Sequence, residues 1–289
     1  HFGMRSPDVT ADKPAGAFRV LMLGDSTLWG GSYLDQEQLY ARILEKKLNE
    51  ISGGKVEVLA MGVNGWGPFH ERGFVDGHGN FGADLVIVCL PHDDLDRDKY
   101  SLLSLPYFTA GQPPRLALEE VLMHTVWRYR RDRIKLDREW RIAQRELGLR
   151  EYEKLALLLR DGDDGVPKEG GAPRVGPEPL TKIGGSEVFF EILPSRTEGM
   201  GLPSPDLENS AVEHEVVPKL RQTLEARGIV AHYPALLFAG QGKEQDLYHD
   251  EVHLHWLGHR VYADFLAERV TTESSAYRRW IAQRAGRAP

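Results

Sequence analysis

A serine stands where the first predicted strand of the chain ends. Residues 18–23 form an apolar run that stops at Gly24, which is typical of a buried strand. Asp25 and Ser26 follow, and a polar segment with helical spacing comes next. Open α/β sheets place their chemistry where strands end and helices begin, and amides at a helix start favour negative charge. Ser26 therefore has the position of a nucleophile, although Gly-Asp-Ser is also an ordinary turn sequence.

A second polar segment, Tyr248 to His259, lies near the end of the chain. Within it, Asp250 precedes His253 by three residues. A carboxylate at this spacing can hold the Nδ1 side of an imidazole and leave Nε2 to take a proton from a serine. The alternative interpretation is a polar loop before a helix, with Asp250 near the N-terminal cap. From the residues of these two segments alone, both interpretations stay open.

The same histidines also allow a metal-binding interpretation. His255 and His259 are four residues apart and could share one helix face, as metal ligands do. Against this, the spacing matches no closed zinc set, and the chain has a single cysteine. Acidic loops are also usually just solvated. The residues concerned are His249, His253, His255 and His259, together with Asp93, Asp94, Asp96 and Asp98.

Composition limits the classes of protein that fit. The 289 residues are 41% hydrophobic and 27% charged, as in ordinary globular proteins. A net charge of −7 argues against a general binder of nucleic acid or anionic membranes. The single cysteine, Cys89, excludes a disulfide within the chain, and its place in an apolar run predicts a buried thiol. No apolar run is long enough for a membrane span.

The N-terminal segment bears on localisation. Residues 1–3, which precede Met4, are not expected to belong to the fold, and residues 4–16 are polar and lack a signal-peptide core. If Met4 is the native start, we expect a cytoplasmic protein. If a preceding segment is missing, we expect an exported one.

The order of elements predicts one α/β domain over residues 1–289. Strand-like and helix-like segments alternate, which is the pattern of a parallel sheet with right-handed crossovers. We expect a three-layer α/β/α sandwich with a mostly parallel five-stranded sheet. The predicted strands cover residues 18–23, 55–61, 83–90, 186–194 and 228–232, and the predicted helices cover 36–50, 211–227, 257–270 and 277–284.

A helical and loop insertion is expected at about residues 106–185. Residues 116–160 are rich in Arg, Glu, Leu and Trp and contain one glycine, Gly148. Residues 161–185 then hold seven glycines and four prolines, which indicates a loop. The basic cluster 128–145 has acidic neighbours, so a solvated helix face is its default interpretation. The insertion could cover the active site as a lid or form the face of a homodimer.

Three blocks resemble the SGNH/GDSL hydrolase superfamily. They are Gly24-Asp25-Ser26 after the first strand, Gly62 in a glycine loop after the second, and Asp250-x-x-His253 ahead of the last long helix. The resemblance covers about residues 18–105 and 186–270 and leaves out the Arg-rich block. It implies a flavodoxin-like fold. The Gly-x-Ser-x-Gly elbow of the α/β-hydrolases is absent.

The resemblance also implies roles for individual residues. Ser26 would be the nucleophile, His253 its general base and later the acid, and Asp250 the group that holds the imidazole. The amides of Ser26 and Gly62 would bind the oxyanion. An activated hydroxyl and donors placed where charge develops are what acyl transfer requires.

One block departs from the family pattern. Where the family has an asparagine that completes the oxyanion hole, this chain has Asp93, preceded by His92. An ionised carboxylate cannot donate a hydrogen bond, and loss of one such donor costs about 2.7–4 kcal/mol. Three alternatives stay open: Asp93 is neutral, His92 supplies the donor, or the chemistry is not ordinary ester hydrolysis.

The expected function is hydrolysis of an acyl or acetyl ester through an acyl-enzyme. The substrate would be a small-molecule or lipid-like ester, with no organic cofactor or metal required and no nucleic acid as partner. One alternative is an acyltransferase or thioesterase that uses the same three residues. Another is a non-hydrolytic binding protein on a degenerate hydrolase scaffold, which the Asp93 substitution motivates.

Overall fold

The centre of the molecule is a five-stranded sheet with the order β2-β1-β3-β4-β5. The computed structural model describes residues 4–8, 10–91, 94–95, 138–162, 181–202 and 207–286. Each pairing between neighbouring strands is parallel, which confirms the predicted α/β class. The strands are β1 (Phe18–Gly24), β2 (Val56–Gly62), β3 (Leu85–Pro91), β4 (Glu187–Leu193) and β5 (Val230–His232).

Helices cover both faces of the sheet, and this explains the unbroken apolar character of its central strands. Every residue of β1 and β3 is buried, as expected for strands that have a helix layer on each side. One face packs against α3 (Pro68–His78), α4 (Arg138–Asp161) and α6 (Leu207–Glu225). The other packs against α2 (Tyr40–Ser52), α8 (Trp256–Glu273) and α9 (Ser275–Ala285).

Three one-turn helices complete the described part of the chain. They are α1 (Ser26–Trp29), α5 (Arg196–Gly199) and α7 (Glu244–Leu247). The helix predicted over 36–50 is divided: a 3-10 turn at Gln36–Gln38 is followed by extended Leu39 before α2 begins. No helix among the described residues is long and apolar enough to cross a membrane.

The described part of the predicted insertion belongs largely to the core. Residues of α4 such as Tyr152 and Leu155 are fully buried against the sheet. A Cβ on Gly148 would lie 2.9 Å from the Leu95 carbonyl oxygen, so the helix approaches the end of β3 closely. The α4 helix thus acts as the crossover between β3 and β4. The rest of the predicted insertion, 106–137 and 163–180, lies outside the described residues.

The strand order creates a switch point between β1 and β3, where successive crossovers leave in opposite directions. In sheets of this kind the carboxyl ends of the strands at the switch point form a crevice for ligands. One register row runs across the whole sheet just before this edge. Its members are Gly62, Gly24, Cys89, Glu191 and His232, from β2 to β5.

Candidate active site

The turn that carries Ser26 is built by Asp25. β1 ends at Gly24, and the fully buried Asp25 caps α1 by accepting hydrogen bonds from Thr27 N and Thr27 Oγ1, both at 2.8 Å. Its second carboxylate oxygen lies 3.1 Å from Ser26 Oγ. The helix expected after the serine is a single turn that ends at Gly30 with a left-handed φ of 77°. The position of Ser26 therefore depends on the Asp25 cap more than on a helix dipole.

Gly62 lies directly against this turn. It pairs with Gly24 across β1 and β2 and is the last residue of its strand, whereas the sequence predicted it as the first residue of the following loop. A Cβ on Gly62 would lie 2.8 Å from the Asp25 carbonyl oxygen and 2.9 Å from Trp29 N. Any larger residue would push α1 away, so glycine is required for this close approach. The other two predicted oxyanion residues, His92 and Asp93, lie outside the described residues.

Asp250 and His253 are held together by a short hairpin, residues 248–254, which we call the catalytic hairpin. An antiparallel bridge joins Tyr248 and Leu254, and His249 N donates to His253 O at 2.9 Å. Inside it, Asp250 Oδ1 accepts from Val252 N at 3.0 Å and from His253 N at 2.8 Å. These local bonds are those of an Asx turn, which Asp favours.

The structure brings Ser26, His253 and Asp250 into one hydrogen-bonded chain. His253 Nε2 lies 2.8 Å from Ser26 Oγ, and His253 Nδ1 lies 2.8 and 2.9 Å from the two Asp250 oxygens. Burial opposes the charge on Asp250, but hydrogen bonds from His253 and Val252 outweigh it and lower the pKa of this carboxyl. An ionised Asp250 accepts the Nδ1 proton, which leaves Nε2 as the acceptor for the Ser26 hydroxyl.

Several residues that the sequence patterns did not single out fasten the catalytic hairpin to the sheet. The Tyr248 hydroxyl lies 3.1 Å from Pro194 O and 3.2 Å from Ser195 O, beyond the end of β4. On the other side, the Tyr33 hydroxyl donates to Leu254 O at 3.1 Å, and its ring stacks on His249 at 4.0 Å. These partners are separated by 54 and 221 residues, so no local pattern could have indicated them.

A third anchor is Glu251. Its carboxylate accepts from Thr197 Oγ1 at 2.8 Å and lies 3.1 Å from the Arg196 guanidinium. The Arg196 backbone amide donates to the Glu251 carbonyl at 2.8 Å. Glu251 stands inside the Asp-x-x-His motif, yet the motif itself carries no signal for this contact.

His253 and His259, two of the histidines considered as metal ligands, have hydrogen-bond partners within the protein. His259 is fully buried, and its Nδ1 accepts the Tyr40 backbone amide at 3.0 Å, at the start of α2. Burial lowers the pKa of His259 to about 3, and nearby Arg5 adds to the effect, so the ring is neutral. Across the ranges that the structure describes, no three His, Cys, Asp or Glu side chains are grouped to hold a metal ion. Asp93, Asp96 and Asp98 fall outside those ranges.

A second histidine with carboxylate partners lies at the edge of the sheet. His232 Nδ1 is 2.7 Å from Glu191 Oε1, and His232 Nε2 is 2.7 Å from Glu273 Oε2. Burial disfavours a charged ring here, but the bonds to both carboxylates outweigh it and raise the pKa of His232. Glu191 is fully buried, and Arg269 pairs with Glu273. The hydrogen-bond contacts of His232 are to carboxylates and not to a serine hydroxyl, so we interpret this group as a structural ion cluster.

The chain was compared with known proteins. No protein-family model and no curated protein matches it. Among solved structures, the lipase Lip_vut3 from a goat rumen metagenome is 14% identical, with 90% of this chain and 100% of that chain covered, at a TM-score of 0.51. An aryl esterase from M. smegmatis is 16% identical (89% and 99% covered, TM-score 0.47). A carbohydrate acetylesterase family member from Sinorhizobium meliloti is 16% identical (88% and 97% covered, TM-score 0.45).

The likeness to the rumen lipase shows a shared fold. At this level of identity the function of the solved proteins is not transferred with it. The fold and the site therefore define a flavodoxin-like α/β protein that carries a hydrogen-bonded Ser–His–Asp chain at the carboxyl edge of its sheet.

Proposed function

We propose that this protein is a serine hydrolase of the SGNH/GDSL type that cleaves an acyl ester through an acyl-enzyme intermediate. The observation that carries the proposal is the 2.8 Å contact between His253 Nε2 and Ser26 Oγ, with Asp250 on the other ring nitrogen. A hydroxyl, a base and a group that orients the base are the parts that nucleophilic acyl transfer needs.

In the first half of the reaction Ser26 Oγ attacks the ester carbonyl carbon. As the new C–O bond forms, the hydroxyl proton moves to His253 Nε2, and Asp250 stabilises the resulting imidazolium. The carbonyl oxygen takes up the negative charge, for which the amides of Ser26 and Gly62 are the proposed donors. When the tetrahedral intermediate collapses, the bond to the alcohol breaks and His253 gives its proton to the leaving oxygen.

In the second half a water molecule takes the place of the alcohol. His253 removes a proton from the water as it attacks the acyl carbon, and then returns the proton to Ser26 Oγ as the acid is released. An acceptor alcohol or thiol in place of water would make the same residues an acyltransferase. We propose hydrolysis of a small-molecule or lipid-like ester. It is supported by the fold shared with a protein described as a lipase.

The test is covalent labelling of the nucleophile. A fluorophosphonate should add one phosphonyl group to the wild-type protein, detectable by intact mass and located on Ser26 by peptide mapping. Ser26→Ala should show no adduct and no turnover of p-nitrophenyl acetate, with an unchanged circular dichroism spectrum. Turnover retained in Ser26→Ala would refute the serine mechanism, and its sensitivity to EDTA would then test the metal interpretation.

Four further statements remain predictions from the sequence. They are the participation of Asp93 and His92 in the oxyanion hole, the helical insertion within a single domain, a homodimer formed through that insertion, and a cytoplasmic location.

A further inference from the structure

Local bonds explain the geometry within the catalytic hairpin but cannot explain where the hairpin sits. The Asx turn places His253 relative to Asp250, whereas His253 and Ser26 are 227 residues apart in the chain. Proton transfer needs the two reacting atoms within hydrogen-bond reach. Contacts between the hairpin and the rest of the molecule must therefore set the distance from His253 Nε2 to Ser26 Oγ.

Glu251 makes the densest set of such contacts at the tip of the hairpin. Its carboxylate accepts from Thr197 Oγ1 at 2.8 Å and from Thr197 N at 3.4 Å. The same carboxylate pairs with the Arg196 guanidinium at 3.1 Å, and the Glu251 carbonyl accepts the Arg196 amide at 2.8 Å. All four contacts lead to α5, which begins three residues after the end of β4.

We propose that Glu251 is a positioning residue: its carboxylate fastens the catalytic hairpin to α5 and thereby sets His253 at its working distance from Ser26. This inference rests on the proposed function. Glu251 does not touch the hydrogen-bonded chain of Ser26, His253 and Asp250 as the structure describes it. It acts through the backbone that it shares with Asp250 and His253.

The two partners of Glu251, Arg196 and Thr197, differ in how much they contribute to holding it in place. The Arg196 and Glu251 side chains are 39% and 45% exposed, and ion pairs at this exposure contribute little. Thr197 is only 9% exposed to solvent. If Glu251 were removed, the buried hydroxyl of Thr197 would lose its hydrogen-bond partner, with little access to water as a replacement. The hydrogen bond to Thr197 is therefore the main constraint, and the charge of Glu251 is secondary.

This difference allows variants that test the Thr197 hydrogen bond and the Arg196 ion pair separately. Glu251→Ala removes the acceptor, and Thr197→Val removes the hydroxyl at similar volume. Glu251→Gln keeps an oxygen that can accept from Thr197 and loses the ion pair. The matched control is Glu244→Ala, because Glu244 pairs with the same Arg196 at 3.1 Å and is similarly exposed but lies on α7.

The first measurement is the rate of fluorophosphonate labelling of Ser26. We expect this rate to fall by about 10- to 100-fold in Glu251→Ala and in Thr197→Val, the size of effect that a misplacement of about 1 Å produces. Glu251→Gln and Glu244→Ala should stay within about threefold of wild type. With p-nitrophenyl acetate, kcat should fall in parallel while KM changes by less than about twofold.

The second measurement does not depend on activity. Hydrogen exchange of the backbone amides of residues 249–255 should be about tenfold faster in Glu251→Ala and Thr197→Val, and unchanged in Glu244→Ala. Labelling and exchange at wild-type rates in Glu251→Ala would overturn the inference. So would a loss in Glu251→Gln as large as in Glu251→Ala, because charge rather than position would then matter.

The two proposals fail in different ways. If wild-type Ser26 is not labelled at all, the hydrolase proposal fails, and the exchange data still decide whether Glu251 holds the hairpin. If Glu251→Ala does not fold, Thr197→Val and Glu251→Gln provide the same comparison with smaller changes.

Discussion

Two histidines in this molecule have a carboxylate partner on Nδ1 but different partners on Nε2, a hydroxyl in one case and a second carboxylate in the other. His253 bonds to Asp250 through Nδ1 and meets the Ser26 hydroxyl through Nε2. His232 bonds to Glu191 through Nδ1 and meets a second carboxylate, Glu273, through Nε2. Both ring nitrogens of His232 therefore face carboxylates, an arrangement that favours a protonated ring.

The comparison separates a base from a structural cation. A histidine can take a proton from a hydroxyl only if Nε2 carries a lone pair, and a single carboxylate on Nδ1 favours that tautomer. Two carboxylates raise the pKa of His232 and thereby favour the protonated ring, which has no free lone pair. A carboxylate–histidine contact is thus no sign of catalysis until the second ring nitrogen has been examined.

The largest effect is expected from changing the carboxylate of each histidine in the same way. Asp250→Asn should lower kcat with p-nitrophenyl acetate by about 10⁴-fold, because an amide on Nδ1 favours the tautomer whose Nε2 is protonated and cannot accept from Ser26. Glu191→Gln should change kcat by less than about twofold, because His232 does not contact Ser26. Similar losses in the two variants would show that the comparison is wrong.

The second prediction concerns stability. His232→Gln should lower the free energy of unfolding by about 3 kcal/mol, because it leaves the buried Glu191 carboxylate without its cationic partner. Since the pKa of His232 is raised in the folded state, its contribution is fully present below about pH 6.5 and is lost as the pH rises through the folded-state value. Urea unfolding at pH 5.5 and pH 8.5 measures this difference.

The control is the double variant Glu191→Gln with His232→Gln. It replaces both members of the pair by neutral groups and should recover part of the lost stability. A loss that is equal at both pH values, with no recovery in the double variant, would contradict the ion-cluster interpretation.

The smallest effect is expected at Tyr33, which fastens the catalytic hairpin from the Ser26 side. Tyr33→Phe keeps the ring on His249 and removes the bond to Leu254 O. We expect a loss of about 1 kcal/mol in unfolding free energy and less than about threefold in kcat/KM. An effect on kcat/KM as large as that of Glu251→Ala would show that Tyr33 positions the hairpin as much as Glu251 does.

The pH dependence of this bond provides a further check. Burial raises the pKa of Tyr33 to about 12, and the charge of Asp250 adds to the effect. The phenol therefore stays protonated, and its contribution to stability is constant below pH 10, the ordinary value, and is lost as the pH rises towards 12. The difference between Tyr33→Phe and wild type in urea unfolding should be the same at pH 7 and pH 9.

The amino-acid sequence by itself determined the strands of the sheet and the two chain segments that form the candidate site. Apolar runs located β1 and β3, because strands covered on both faces are apolar along their length, and an alternating pattern located β2. Together with the two later strand segments, the predicted strands match the observed ones to within about two residues. Asp250 and His253 could be paired in advance because their contacts lie within one seven-residue hairpin, where backbone geometry follows from local residue types.

Only the tertiary structure decided which residues hold His253 at the serine and which partners the other histidines find. His232 finds carboxylates 41 residues away in both directions, and His259 finds the start of α2 at a distance of 219 residues. Thr197 and Glu251 are 54 residues apart. Such contacts arise from the register of neighbouring strands and the packing of the loops beyond them. Hydrophobic period, turn chemistry and local spacing specify elements, but the partners of a buried polar group are chosen when those elements pack together.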